Sequence, residues 1–412
     1  MFRSLFRPIK LWLQSEKDAV PLALILLSSP QLPLTTLREL QAKGFYTYLP
    51  GYEALLTNPE KALRGLSDKM RRVLEAAVAT QRSGRREALE EKLRDVLAEL
   101  RTALDLADYN VSNMYMVVTT FVSTIAGMVV STLALMGPGG AMAAIASALF
   151  ASLFVMGVGV VAYPIEYSLP TPPAKSYLPL LSIIPLYLLL SFLGAPLPLT
   201  LSIALGSIFT SVLQFIYVRR QVKELLDTRE MVRVASRAVG NPYRSLKGRF
   251  IENPEDLLRP TDNGLVQAIR LALFQVLLHG GYELLEKLED HYSRIVDFIL
   301  RLRSKTRVFL IYAVIEAVIV SMMYAILVSV KPLLFGAGAE ALATLGITSA
   351  GLDELEQNMD LILSSVALAL SVATSSFREG KPTLLTIYMP VVAVALYASY
   401  MTALAFTPSL FR

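Results

Sequence analysis

The residue types that usually carry catalysis are scarce in this chain, and those present are scattered. Its 412 residues include no cysteine, which excludes disulfides, thiolate metal sites and cysteine nucleophiles. The two histidines, His279 and His291, have no companion ligands nearby in sequence, so structural or solvated roles suit them better than metal binding. The glycine clusters Gly137-Pro138-Gly139-Gly140 and Gly336-Ala337-Gly338 lack the Lys-Ser or Lys-Thr that completes a phosphate-binding loop. No cofactor, metal or nucleotide is expected, and no enzymatic activity.

What remains is the chemistry of charge. Glu316 is the one acid in the long apolar run Val308–Val330. An ionised carboxylate at membrane depth costs a few kcal/mol, so it should face protein or water. It reads either as an intramembrane contact between helices or as the ion-coupling residue of a secondary transporter. Arg71, Arg72, Arg85 and Arg86 form one basic surface, and Arg301, Arg303, Lys305 and Arg307 another. The second cluster directly precedes an apolar run and suits lipid head groups. Arg85 and Arg86 lie farther from any apolar run and suit an acidic protein partner. Nucleic acid is not expected, because no aromatic residues interleave with these charges.

These charges need elements to hold them, and the apolar pattern supplies helices. Leu285, Leu288, Tyr292, Ile295, Ile299 and Leu302 recur at spacings of three and four, the seam of an amphipathic helix. Val308–Val330 then extends roughly 34 Å at about 1.5 Å per residue, enough to cross a bilayer. No Gly or Pro separates Arg307 from Val308, so one continuous helix is expected there. Leu89, Leu93, Leu97, Leu100 and Leu104 repeat the seam, and Tyr115–Met136 repeats the span. Glu91, Lys92, Leu93 and Asp95 match Glu286, Lys287, Leu288 and Asp290, and Asn58-Pro59-Glu60 matches Asn253-Pro254-Glu255 in the same register. Two windows in one register argue for an internal duplication.

Hydrophobic residues make up 54% of the chain, which argues for a membrane protein. Seven spans are expected, at about 115–136, 141–162, 178–193, 199–218, 308–330, 359–377 and 383–406. Pro185 and the break Gly194–Pro198 leave a kinked hairpin as the alternative for the third and fourth. Of the 39 Lys and Arg, 34 lie in 1–114 and 219–307, whereas 331–360 carries one Lys and five acids. The positive-inside rule therefore places the N-terminus in the cytoplasm and the C-terminus outside the cell membrane. The expected organisation is a basic amphipathic segment (1–27, with Ala19–Leu27 a buried core helix), helical bundle 1 (28–114), transmembrane block 1 (115–218), helical bundle 2 (219–307) and transmembrane block 2 (308–412, with an acidic outer loop 331–358). The fold class is an all-α polytopic membrane protein with two homologous cytoplasmic bundles.

This alternation of helical domain and spans resembles the F family of type II secretion and type IV pilus platform proteins, in its archaeal pilus and archaellum form. The family opens each helical domain with a small-residue turn followed by Leu. Ser29-Pro30-Gln31-Leu32-Pro33-Leu34-Thr35-Thr36-Leu37 and Gly240-Asn241-Pro242-Tyr243-Arg244-Ser245-Leu246 look like that turn. The later Glu-x-Ser-Gly signature resembles Gln81-Arg82-Ser83-Gly84 and His279-Gly280-Gly281, each leading into a Leu-rich helix. Gln81 and His279 replace the family's Glu, so a cation-binding role of that acid does not transfer. The resemblance implies a non-enzymatic platform whose partners are a cytoplasmic hexameric secretion ATPase, pilin-like filament subunits, the lipid membrane and further copies of itself. It would make Arg71, Arg72, Arg85, Arg86, Arg301 and Arg303 docking charges.

Overall fold

The computed structural model describes residues 7–124, 132, 135, 137–163, 169–337 and 349–410. The described residues are helical apart from turns and one isolated bridge, Lys247 to Ile251. In chain order the α-helices are α1 (Arg7–Ser28), α2 (Pro33–Ala42), α3 (Tyr52–Thr57), α4 (Pro59–Ala62), α5 (Asp68–Ser83), α6 (Glu87–Thr124), α7 (Gly140–Ala162), α8 (Ile183–Phe192), α9 (Pro198–Gly206) and α10 (Ile208–Ser236). They continue with α11 (Pro242–Leu246), α12 (Gly264–His279), α13 (Leu284–Lys305), α14 (Val308–Ala337), α15 (Ser349–Gln357), α16 (Met359–Glu379) and α17 (Met389–Leu410). Six helical stretches among the described residues are long and apolar enough to cross a membrane: 140–159, 174–192, 198–236, 284–332, 359–379 and 389–407. The chain is a multi-pass α-helical membrane protein. The second half of the expected first span lies largely outside the described residues.

Two compact units emerge, and their composition departs from the expected domains. Unit 1 gathers Met1–Leu106, Ile165–Pro170 and Arg220–Arg301, so the two stretches expected to form separate bundles share one unit. The reason is visible in α12. It buries residues on every side, from Leu265 to Val276, and one amphipathic partner could not cover it. The apolar half of α1, Ala19 to Leu26, packs on it and on α5. Ala19–Leu27 is thus core, as its composition suggested, although it continues the same helix as the basic N-terminal turns, with Pro21 inside. The exposed Ile9, Trp12 and Leu13 lie in that first half.

The order of elements repeats beyond the matching windows. In the first copy α4 follows the Asn58 cap, the 16-residue α5 stops at Gly84, and α6 begins. In the second, a 3-10 turn (Pro254–Leu258) follows Asn253, the 16-residue α12 stops at Gly280, and α13 begins. The two caps differ in detail. Asn58 accepts from the Lys61 amide, whereas Asp256 accepts from the amides of Glu252 and Asn253 at 3.0 and 2.9 Å. Those two donors hold the Asp256 carboxyl below the ordinary carboxylate range.

Asp18 illustrates the opposite case. It receives the Tyr48 hydroxyl at 2.8 Å, yet burial dominates and raises its pKa. A raised carboxyl pKa means that Asp18 contributes stability below the ordinary carboxylate pKa and loses it as pH rises through the raised value. Asp18→Asn should therefore raise the melting temperature at pH 8 by a few degrees relative to the parent, and leave it unchanged at pH 4. Thermal unfolding at the two pH values, followed by the fluorescence of Trp12, checks this.

Unit 2 comprises Ala107–Pro164, Thr171–Arg219 and Leu302–Arg412. Its centre is α16, whose apolar window is 83% buried, against at most 39% for the other candidate spans. Apolar residues on those other helices, such as Phe150, Leu188, Phe192 and Phe209, remain exposed, as lipid-facing residues should. Two of the buried hydroxyls of α16 bond to its own backbone, Ser365 to Leu361 and Thr374 to Leu370, both at 2.8 Å. Small residues allow close approach: a Cβ on Gly159 of α7 would lie 2.5 Å from the Ser376 Cβ. The region Gly194–Pro198 is a tight turn between α8 and α9, with Gly194 and Leu197 in the left-handed conformation.

The described acids of 349–360 make specific contacts rather than a diffuse charged surface. Asp360 caps α9, accepting from the amides of Leu199 and Thr200 at 2.7 and 2.8 Å. Glu354 accepts from the Gly139 amide at the start of α7. Asp353 and Glu356 pair with Lys331. Glu340 lies outside the described residues.

Candidate functional site

The most concentrated polar chemistry in unit 2 lies where α13 ends, between the last turn of that helix and the end of α16. Arg303 reaches both carboxylate oxygens of Glu379, one of them at 3.2 Å. The Tyr388 hydroxyl donates to the same carboxylate at 2.7 Å, and the Arg378 Nε stands 3.8 Å from it. Glu379 is 2% exposed and the Arg303 side chain 16%, so this is a buried, bidentate pair rather than a surface contact. An acid in the last turn of a helix faces the negative end of the helix dipole, and two guanidinium groups offset that. Gly380 follows with φ +66°, turning the chain so that Tyr163 packs directly on it.

An aromatic cluster lies in the same unit. Tyr115 stacks on Phe309 at 4.1 Å between centroids and meets Phe377 edge-on at 5.9 Å. The Tyr115 hydroxyl donates to the Phe309 carbonyl at 2.5 Å. Tyr115 and Phe309 are 194 residues apart, one short of the register of the duplicated windows. The two copies therefore pack nearly equivalent residues against each other at the starts of their apolar runs. No nucleophile paired with a base occurs here; the arrangement can fix helices, and its chemistry is that of a structural clamp.

The basic residues singled out by sequence separate into two groups. Arg303 is committed to Glu379, and Arg86 donates to the carbonyls of Pro30 and Gln31, the latter at 2.9 Å. Neither is a free docking charge, because each satisfies a partner within its own unit. Arg71 pairs with Glu75 at 2.7 Å and Arg72 with Glu99, both at the exposed surface. Arg85 and Arg301 are exposed, with no side-chain ion pair among the described residues. Arg82, in the signature-like stretch, donates to the Leu56 carbonyl at 2.7 Å.

Glu316 is half-buried on α14 and has no hydrogen-bond partner among the described residues. The helix carrying it forms one apolar helical stretch with α13, 284–332, as the absence of Gly and Pro suggested, with a two-residue interruption of the helical pattern. Thr306 and Arg307 form a turn between them. The Thr306 amide still donates to the Leu302 carbonyl at 2.9 Å, its hydroxyl bonds back to the same carbonyl at 2.9 Å, and the next amides shift to i−3 acceptors, Arg307 on Ser304 and Phe309 on Thr306. In the first copy α6 is uninterrupted from Glu87 to Thr124.

The signature-like positions also acquire a structural role. Gln81 accepts from the Leu34 amide at the start of α2, at 3.2 Å. The His279 Nε2 lies 2.8 Å from the Gln31 amide and 3.1 Å from Glu39. Both residues thus hold α2 from the ends of equivalent helices. Glu379, Tyr388 and Tyr115 were missed by sequence; the one available signal was an acid closing an otherwise apolar helix.

Comparison with protein-family models, with curated proteins and with solved structures finds no match for this chain.

Proposed function

We propose that this chain is the membrane platform of a type IV filament machine, pilus- or archaellum-like, or of a related type II secretion system. The observation that carries the reading is the repeated order of elements: an Asn-Pro-Glu turn, a 16-residue helix stopped by Gly, then a long helix running into apolar sequence. In this reading unit 1 is cytoplasmic, consistent with its basic composition, and receives a hexameric secretion ATPase. Motion of the ATPase passes along α6 and α13 to the spans, which lift pilin-like subunits from the bilayer. The N-terminus is cytoplasmic, the C-terminus outside, and the working form is a dimer or larger oligomer. Arg85 and Arg301, exposed and unpaired among the described residues, are the preferred docking charges.

Cross-linking in native membranes followed by mass spectrometry tests the proposal. A hexamer-forming ATPase should be recovered with the parent and lost from Arg85→Glu with Arg301→Glu, while the melting temperature stays within a few degrees of the parent. Recovery of only the chain itself and lipid, at saturating cross-linker, would remove the support for a platform.

A further inference from the structure

Unit 1 contains a cavity that the platform reading does not use. Its volume is about 510 Å³, and it opens among the turn 248–252, the 3-10 segment Pro254–Leu258 and α12. Arg249, Arg259 and Arg270 line its wall, with Glu252 and Asp256 as the acids. The acids do not neutralise all three. Asp256 is already occupied by two backbone amides and by Arg259 at 2.8 Å. Arg249 lies 3.4 Å from Glu230, outside the wall, and over the Phe250 ring. Glu252 is exposed and forms no ion pair among the described residues.

Arg270 is the residue left over. It projects from α12, the most apolar helix of unit 1, and has neither ion pair nor hydrogen bond among the described residues. Its Nε is buried without an acceptor. A buried donor on a permanent cation is costly to leave unmet, and the residue that carries it lines the open volume. A planar guanidinium fork matches the paired oxygens of phosphate, and further guanidinium groups at the mouth add charge.

We infer that this cavity binds a small phosphate-bearing anion, anchored by Arg270 and flanked by Arg249 and Arg259. The volume admits more than a single monatomic ion. The site is independent of ATPase docking, so either proposal stands or falls alone.

Pyrophosphate and inorganic phosphate, titrated into the full chain in detergent, are the probes, with chloride at matched ionic strength as control. Calorimetry should show saturable binding, and thermal unfolding should show a stabilising shift that chloride does not reproduce. Arg270→Met should bind about tenfold more weakly or worse. It should also melt no lower than the unliganded parent, since a buried donor without an acceptor has been removed. Arg94→Gln, an exposed change elsewhere in unit 1, should bind like the parent. Arg270→Lys, which keeps the charge without the fork, provides a second variant should the Met form fold poorly, and should also lose affinity. The inference is overturned if neither probe binds beyond the chloride control, or if binding is undiminished in both Arg270 variants.

Discussion

Arg303→Met should destabilise unit 2 by about 3–5 kcal/mol, the cost typical of removing one partner from a buried ion pair. Glu379 would stay where it is, 2% exposed. Its remaining cation, Arg378, is 3.8 Å away and its remaining close donor is Tyr388. The penalty comes from stranding the carboxylate rather than from losing an attraction. Removing both charges, Arg303→Met with Glu379→Met, should therefore be milder than Arg303→Met alone, and the double-mutant cycle should give a coupling of 0.5 kcal/mol or more, on the order of values for contacting residues. Unfolding in detergent followed by circular dichroism measures the whole chain, while Trp12, the one tryptophan, reports unit 1 separately. A parent-like melt for the single variant would show that the pair is dispensable. The same argument bears on docking experiments: a charge reversal at Arg303 would perturb the membrane unit and mimic lost binding. Arg85 and Arg301 do not carry that ambiguity.

What could be read before the structure was what leaves a local or periodic trace. Six of the seven expected apolar runs fall on helical stretches long and apolar enough to cross a membrane, because twenty apolar residues in a row have few other uses, and the seventh lies largely outside the described residues. Asn58 and Asn253 became helix starts because caps are set by chemistry within three residues. Long-range pairing leaves no such trace. Glu379 meets Arg303 across 76 positions, and nothing near either residue names the other. For the same reason 28–114 and 219–307 looked like two bundles: each has its own seams, and only the all-round burial of α12 requires them to share a core. The break at Thr306 was hidden differently. Glycine and proline are the usual markers of interruption, and neither stands there, so the two-residue turn at Thr306 and Arg307 gives no signal in composition. Among the basic residues, sequence had no means of telling a spent guanidinium, such as Arg86, from an open one, such as Arg85.

Two glycines with nearly the same backbone provide the second large effect and its own control. Gly84 ends α5 with φ +68°, and Gly380 follows α16 with φ +66°. Alanine at either position must adopt the left-handed conformation, at about 1–2 kcal/mol. At Gly84 a Cβ would meet nothing within 4 Å, so strain is the whole expected effect. At Gly380 the Cβ would lie 2.5 Å from Tyr163 Cδ1 and 2.7 Å from Cγ, inside the ring's own contact surface. Tyr163 is 3% exposed and has little room to retreat, so overpacking should add about 1–3 kcal/mol. Gly380→Ala should thus melt well below Gly84→Ala. Measured in a Tyr163→Ala background, the Gly380→Ala penalty should fall to about that of Gly84→Ala, because the overlap is gone and the strain remains. Equal penalties at the two glycines in the parent would mean that the ring is not held against residue 380. The turn beside the Arg303–Glu379 pair would then be set by the ion pair alone.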